Sequence, residues 1–356
     1  MITLKGPIIA VFIAAVVLVS GMTMLDGLEE EEERIGWIVG EVEDGYGTIL
    51  HTTNGSTWVR QGDQETIPDV PLNDVRAVDG DTAWAVGGES DGYGTILRTD
   101  DGGESWTRQG SAVATPKVNL YGIGVLDTST AWAVGDNGTI LFTDDGGEDW
   151  EIQSMPGRLT EVILYDITVV DEDHAWIIGD TVDGYATIFH TGDGGESWTR
   201  QGSKDTVNAR GLIDISAVDR DVVWAVGTDE TVIKTEDGGE NWMVMRSSGL
   251  SHVNGVCALD AQNVWAARDY DEMLKTTDGG QNWTVIEIPP EVGTGFYLMT
   301  VAALDMDHLW VVGDSIMGQD PQGEILHSSD GGDTWQRQEM PVDFSPDRVS
   351  FVGSPK

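Results

Sequence analysis

The chain has 356 residues, 62 of them acidic and 19 basic, for a formal net charge of −43. That balance excludes nucleic acid as a partner, because a phosphate backbone demands positive charge, and the single cysteine, Cys257, excludes a disulfide framework. So much like charge repels itself within a compact state, which predicts a halophilic protein of a high- or moderate-salt environment, the bland alternative being an acidic secreted protein of ordinary salt tolerance.

Pro7–Leu25 is a nearly uncharged apolar run, just long enough to cross a bilayer as a helix. Lys5 precedes it, and Asp26 and the run Glu29–Glu33 follow it. Positive charge before and negative charge after place the N-terminus inside and the remainder outside. Val19-Ser20-Gly21 also fits a cleavage site. Residues 1–25 are therefore read as a signal-anchor transmembrane helix or a signal peptide. Residues 26–35 read as an acidic, extended linker, because its charges repel.

Residues 36–353 are repetitive. The stretch Thr99–Trp106, Thr-Asp-Asp-Gly-Gly-Glu-Ser-Trp, returns at Thr143–Trp150, Thr191–Trp198, Thr235–Trp242, Thr276–Trp283 and Ser328–Trp335, with a worn copy at His51–Trp58. In each intact copy the third-position Asp can accept backbone N–H groups, and the paired glycines allow positive φ without steric cost. Asp101, Asp145, Asp193, Asp237, Asp278 and Asp330 are thus expected to be structural. Their single carboxylate between small residues lacks the alternating oxygen ligands of a calcium loop, so no metal or cofactor is expected.

Upstream of each turn lies Gly-Thr-Ile-Leu or a variant, and before that Trp-Ala-Val-Gly or a variant. All 14 Trp occupy two repeated positions, two per copy, which makes Trp a structural peg. A third run opens each unit, at Leu72–Val78, Leu120–Leu126, Leu164–Val170, Leu212–Val218, Val253–Leu259 and Leu298–Leu304. Four short β-rich runs per repeat predict an all-β, seven-bladed β-propeller. The first unit starts at Gly36-Trp37 without an opening run, whereas Asp347–Gly353 matches that run with nothing after it. The two halves predict a ring closed by pairing of the N- and C-terminal strands, which removes exposed sheet edges.

The turn signature resembles the Asp-box of bacterial-neuraminidase-type (BNR) repeats. The fuller unit, Trp-Ala-Val-Gly then Gly-Thr-Ile-Leu then Thr-x-Asp-Gly-Gly-x-x-Trp, resembles the photosystem II stability/assembly factor family over roughly residues 36–353. The resemblance implies a seven-bladed, non-enzymatic propeller that binds a membrane protein complex during its assembly, through an arginine-rich patch. Here the arginines are few and spread over blades, among them Arg60, Arg108, Arg200 and Arg337.

Candidate binding residues fall in two places. Loops such as Gln61–Pro71, Gln109–Asn119, Gln201–Gly211 and Ile286–Tyr297 share the face opposite the Asp turns. Tyr46, Tyr93 and Tyr185 are expected at turn tips on that face, with Phe296-Tyr297 in the last loop, to meet a protein partner or a sugar. The bland alternative folds each Tyr back on its own hairpin. The third position of the opening run carries Asp74, Asp166, Asp214 and Arg348 around the central channel, as a site for a cation or basic side chain or as a hydrated, self-paired ring. Cys257 is expected to be a small buried hydrophobe.

The functional expectation is a non-enzymatic binding or assembly scaffold, at the extracytoplasmic face of a membrane or secreted, with a membrane-associated protein partner. The alternative is a glycoside hydrolase or carbohydrate-binding propeller of the sialidase or xyloglucanase Asp-box type. Against it, the Arg-Ile-Pro signature of sialidases is absent, and the chain holds one propeller where xyloglucan-active enzymes resemble two. A sortilin-like receptor is disfavoured by the absence of a Cys-rich extension.

Overall fold

The computed structural model describes residues 33–355, apart from 112–113, 156–160, 205–206, 208–210, 248, 250, 294 and 316–321. The helix expected over 7–25 lies outside the described residues. Within them, no helix is long and apolar enough to cross a membrane.

Seven four-stranded antiparallel sheets make up the fold. The first holds β1 (Gly36–Glu43), β2 (Tyr46–Thr52) and β3 (Val59–Gln61). The next two are β4 (Leu72–Ala77), β5 (Ala83–Ser90), β6 (Tyr93–Thr99) and β7 (Thr107–Arg108), then β8 (Leu120–Val125), β9 (Ala131–Gly135), β10 (Ile140–Thr143) and β11 (Glu151–Ile152). Blade 4 is β12 (Leu164–Val169), β13 (His174–Val182), β14 (Tyr185–Gly192) and β15 (Thr199–Arg200). Blade 5 is β16 (Leu212–Ala217), β17 (Val223–Gly227), β18 (Thr231–Thr235) and β19 (Trp242–Arg246). Blade 6 is β20 (Val253–Ala258), β21 (Val264–Arg268), β22 (Glu272–Thr276) and β23 (Thr284–Glu287). Blade 7 is β24 (Phe296–Ala303), β25 (Leu309–Ser315), β26 (Gln322–Ser328) and β27 (Gln336–Gln338). The last strand, β28 (Pro346–Phe351), pairs antiparallel with β1 and is the fourth strand of blade 1.

The fourteen tryptophans explain why the repeat carries two each. Every hydrophobic cluster spans a blade junction and joins the second-strand Trp of one blade to the box Trp of the next: Trp37 with Trp106, Trp84 with Trp150, Trp132 with Trp198, Trp176 with Trp242, Trp224 with Trp283, Trp265 with Trp335, and Trp310 with Trp58. Trp84 and Trp150 meet edge to face at 5.9 Å, as do Trp224 and Trp283. A single blade cannot bury either indole by itself. At about 25 cal/mol per Å² over roughly 200 Å², each contributes about 5 kcal/mol against chain entropy once its neighbour is in place.

Two details of the sequence reading change. The worn box begins at Thr52, not His51, and is one residue shorter: Thr52 Oγ1 accepts the Gly55 N–H, and Asn54 takes the place of the Asp. Phe296 and Tyr297 are not in a loop. They lengthen β24 at its start, and Phe296 is buried in the core of blades 6 and 7. Cys257 is buried as expected, and its Sγ accepts the Ala303 N–H at 3.3 Å.

Candidate functional site

The Asp turns fold as anchors. Thr99 Oγ1 accepts the Gly103 N–H at 2.8 Å and donates to Asp101 Oδ1 at 2.8 Å. Asp101 in turn accepts the Ser105 N–H and hydroxyl. These donors hold its carboxyl below the usual range, the Ser105 hydroxyl foremost. The backbone part of this pattern recurs at Asp145, Asp193, Asp237, Asp278 and Asp330.

What the sequence did not disclose is why the first box glycine is present in all seven copies. Its carbonyl accepts a hydrogen bond from the preceding blade at every junction. Gln61, Gln153, Gln201 and Gln338 donate to Gly102, Gly194, Gly238 and Gly55, at 2.7–3.1 Å. Arg98, Lys234 and Lys275 donate to Gly146, Gly279 and Gly331, at 2.5–3.4 Å. The Gln338–Gly55 bond joins blade 7 to blade 1 in the same way as its counterparts join successive blades. The glutamines also receive the box indole, as when Trp198 Nε1 donates to Gln153 Oε1. The second glycine leaves room for this clasp. A Cβ at Gly239, where φ is +86°, would collide with Gln201 Oε1. Gly239→Ala should therefore cost about 2–3 kcal/mol in urea unfolding, combining left-handed strain with a broken clasp. Gln201→Ala, which removes only the clasp, should cost about 1 kcal/mol. Equal costs for the two would refute the steric part.

The innermost strands carry the expected ionic ring, and it is buried and self-paired, not open. Asp74, Asp166 and Asp214 are 0%, 0% and 2% exposed. Arg348, delivered by β28, reaches all three, at 3.1, 3.5 and 2.7 Å. Arg76, which the sequence reading passed over, sits 3.7 Å from Asp74 and 3.4 Å from Asp166. The carboxylates also accept N–H groups from the next blade: Asp74 from Ile123, Asp166 from Ile215, Asp214 from Val256. Where the position is Gly, the strands come closer still, and a Cβ at Gly122 would lie 2.7 Å from Asp166 Cα.

Three carboxylates face two guanidiniums, so one negative charge is in excess. The carboxyls divide it unequally. Burial raises Asp166 well above the carboxylate range, its hydrogen bond with Asp214 adding to this against the pull of Arg348 and Arg76. Asp214 is subject to the same burial, but Arg348, the bond from Asp166 and Arg76 outweigh it and hold Asp214 low. Burial in a low dielectric thus favours the neutral form at Asp166, while the guanidiniums favour the charged form at Asp214. Only about 20 Å³ remains in the cavity bordered by Arg76, Asp214, Cys257 and Arg348. The ring expected to receive a basic side chain is thus occupied by two of the protein's own.

The tyrosines expected at turn tips are not there. The tips are Asp44-Gly45, Asp91-Gly92 and Asp183-Gly184, all at positive φ. Tyr46, Tyr93 and Tyr185 open the following strands, partly exposed, and each lies under a guanidinium: Arg60 at 4.0 Å, Arg108 at 3.8 Å and Arg200 at 3.7 Å from the ring centroid. Each Arg also faces the turn's own Asp, at 2.8, 3.1 and 3.7 Å. The Tyr–Arg–Asp stack is visible in the sequence as Asp-Gly-Tyr paired with a later Arg-Gln-Gly; the cation–π contact needs the hairpin to form first.

A second acidic group lies toward the loop face of blades 1 and 7. Asp347 is pushed up to about 7 by burial and by Glu41 and Asp314 nearby. Burial raises Glu324 to about 7 as well, with Arg337 pulling the other way. Between about pH 4 and 7 the folded state binds protons at these groups that the unfolded chain does not, so stability rises as pH falls through that window. The melting temperature should climb from pH 8 to pH 6, and Asp347→Asn with Glu324→Gln should flatten the climb. An unchanged slope in the double variant would rule these groups out as its source.

Taken together, the fold and its turns define the class: an all-β, seven-bladed propeller built from Asp-box (BNR) repeats. The family model described as photosynthesis system II assembly factor YCF48 matches residues 56–143 and 111–205. A structure of YCF48 bound to D1 peptide is similar at 18% identity and a TM-score of 0.59, over 80% of this chain and 89% of that one. YCF48 from Cyanidioschyzon merolae is similar at 18% identity and a TM-score of 0.57, over 79% and 94%. The GH74 xyloglucanase from Xanthomonas campestris shares the architecture at 15% identity and a TM-score of 0.57, over 75% of this chain and 45% of that one. No curated protein matches. The matched residues, 56–205, cover less than half of the chain, and over them the repeats are similar to those of the photosystem II assembly factor family.

Proposed function

We propose that the propeller is a non-enzymatic binding and assembly scaffold on the extracytoplasmic side of a membrane. It engages a membrane-associated protein partner through the loop face that carries Tyr46, Tyr93 and Tyr185. The observation that carries this reading is the inner ring. Asp74, Asp166 and Asp214 are buried and tied to Arg348, Arg76 and backbone N–H groups, which leaves them unfit to exchange protons with a substrate. Its support from relatives is the likeness to YCF48, one structure of which is bound to D1 peptide.

The test is crosslinking and pull-down of the full chain from native membranes. A specific partner lost in the Tyr46→Ala, Tyr93→Ala, Tyr185→Ala triple variant supports the scaffold. The likeness to the xyloglucanase supplies the rival reading, a carbohydrate-active propeller. Turnover of aryl glycosides abolished by Asp166→Asn would establish that rival instead.

A further inference from the structure

The seven outermost strands are not protected alike. In blades 1, 2, 4 and 7 the second residue after the box Trp is arginine: Arg60, Arg108, Arg200 and Arg337. Each is paired to a carboxylate of its own blade. Charge on an edge strand discourages pairing with another chain. Blade 3 has Ile152 there, but β11 is only two residues long. Blade 5 has Val244, but β19 is bulged: Val232 faces Arg246 and Ile233 faces Val244, leaving Met245 extra. Short strands and bulges are the other two ways of blunting an edge.

Blade 6 has neither the arginine nor a bulge, and its outer strand is twice as long as β11. Its outer strand β23 reads Thr-Val-Ile-Glu, and Val285 stands where the arginine would be. All four residues pair in unbroken register with Lys275, Leu274, Met273 and Glu272. Val285 is 41% exposed. Glu287 stands directly across from Glu272, a like-charge pair that is unfavourable in a sheet. Arg268 pairs with Glu272, while no described residue forms an ion pair with Glu287.

We infer that β23 is a docking edge, on which an extended partner segment carrying an apolar and a basic residue two positions apart adds as a fifth strand to blade 6. Backbone hydrogen bonds along the free edge supply the affinity. The apolar side chain lies against Val285. The basic one lies beside Glu287, on the same face two residues along, and relieves its repulsion with Glu272. The charge of −43 disfavours a second copy of this chain as the occupant. This edge lies on the outer rim, so the inference stands independently of the loop-face reading above.

The test uses the full chain in mild detergent and a fluorescent peptide, Lys-Thr-Val-Thr-Lys-Thr-Val-Thr-Lys, read by anisotropy at low salt. Wild type should bind it, with new hydrogen-exchange protection over 284–287. Val285→Arg and Glu287→Lys should each weaken binding at least tenfold, and Val244→Arg should leave it unchanged. Both altered side chains point to solvent, and an unchanged melting temperature confirms folding. Absence of binding to wild type, or binding that survives Val285→Arg, overturns the inference. So does equal binding of the peptide with Pro for Val, which would mark a charge-only contact. Self-association abolished by Val285→Arg would make a second copy the occupant and overturn it too.

Discussion

Arg348→Met should destabilise the propeller by about 3–5 kcal/mol at pH 8, the cost of removing one partner from a buried ionic cluster. Three buried carboxylates would then share Arg76 alone. Without Arg348, which pulls the Asp166 and Asp214 carboxyls down against their burial, the folded protein binds protons there that the unfolded chain releases, and the variant regains stability as pH falls from 8 toward 5. Adding Asp214→Asn, which removes the carboxylate nearest Arg348, should restore part of the loss, because the two positions share one network. Urea titrations of the single and double variants at several pH values make the measurement. A loss below about 1 kcal/mol for Arg348→Met would mean that the ring is not braced from its centre.

The position of Arg348 makes this more than a core substitution. It sits on β28, and β28 pairs with β1 at the other end of the described chain. We propose that the arginine couples this pairing to blades 2, 4 and 5, whose aspartates it reaches. Loss of the charge should therefore raise hydrogen exchange along Gly36–Gly40 as well as in β28. Exchange confined to β28 would separate the brace from the strand pairing.

Salt should give the second large effect. Raising KCl from 0.1 to 2 M should lift the melting temperature by about 10 °C, as the Debye length shrinks from about 10 Å to a few ångströms and self-repulsion fades. Several cations that would otherwise lose by screening are turned inward. Arg348 and Arg76 serve the ring, Lys234 lies buried over Trp224, and Arg246 and Arg268 share the buried Glu230. Buried pairs are screened little, so the exposed carboxylates dominate the response. A melting temperature flat or falling over that range would defeat the expectation of a salt-adapted protein.

The blade count, the strand order and the anchoring role of the Asp turns were all legible in the sequence. Each follows from short-range rules: paired glycines at positive φ, a hydroxyl and a carboxylate two residues apart, and β-rich runs between them. The worn first box shows the limit of that reading, because the loss of one glycine of the pair beside Gly55 shifts the match to His51 until hydrogen bonds fix the register. Phe296 and Tyr297 show another, since nothing local tells a loop from a strand that begins early.

The sequence by itself determined the repeat, and with it the placement of fourteen tryptophans and six box aspartates. It did so because a repeating unit must satisfy its own turns before it meets a neighbour. Only the tertiary structure decided which tryptophans pair, that a glutamine or basic residue of one blade clasps the box of the next, and that Arg348 and Arg76 fill the ring. Those partners lie about 40–50 residues or more apart, or at opposite ends of the chain, and no local spacing rule spans such separations. They meet only when the blades stand side by side around a common axis.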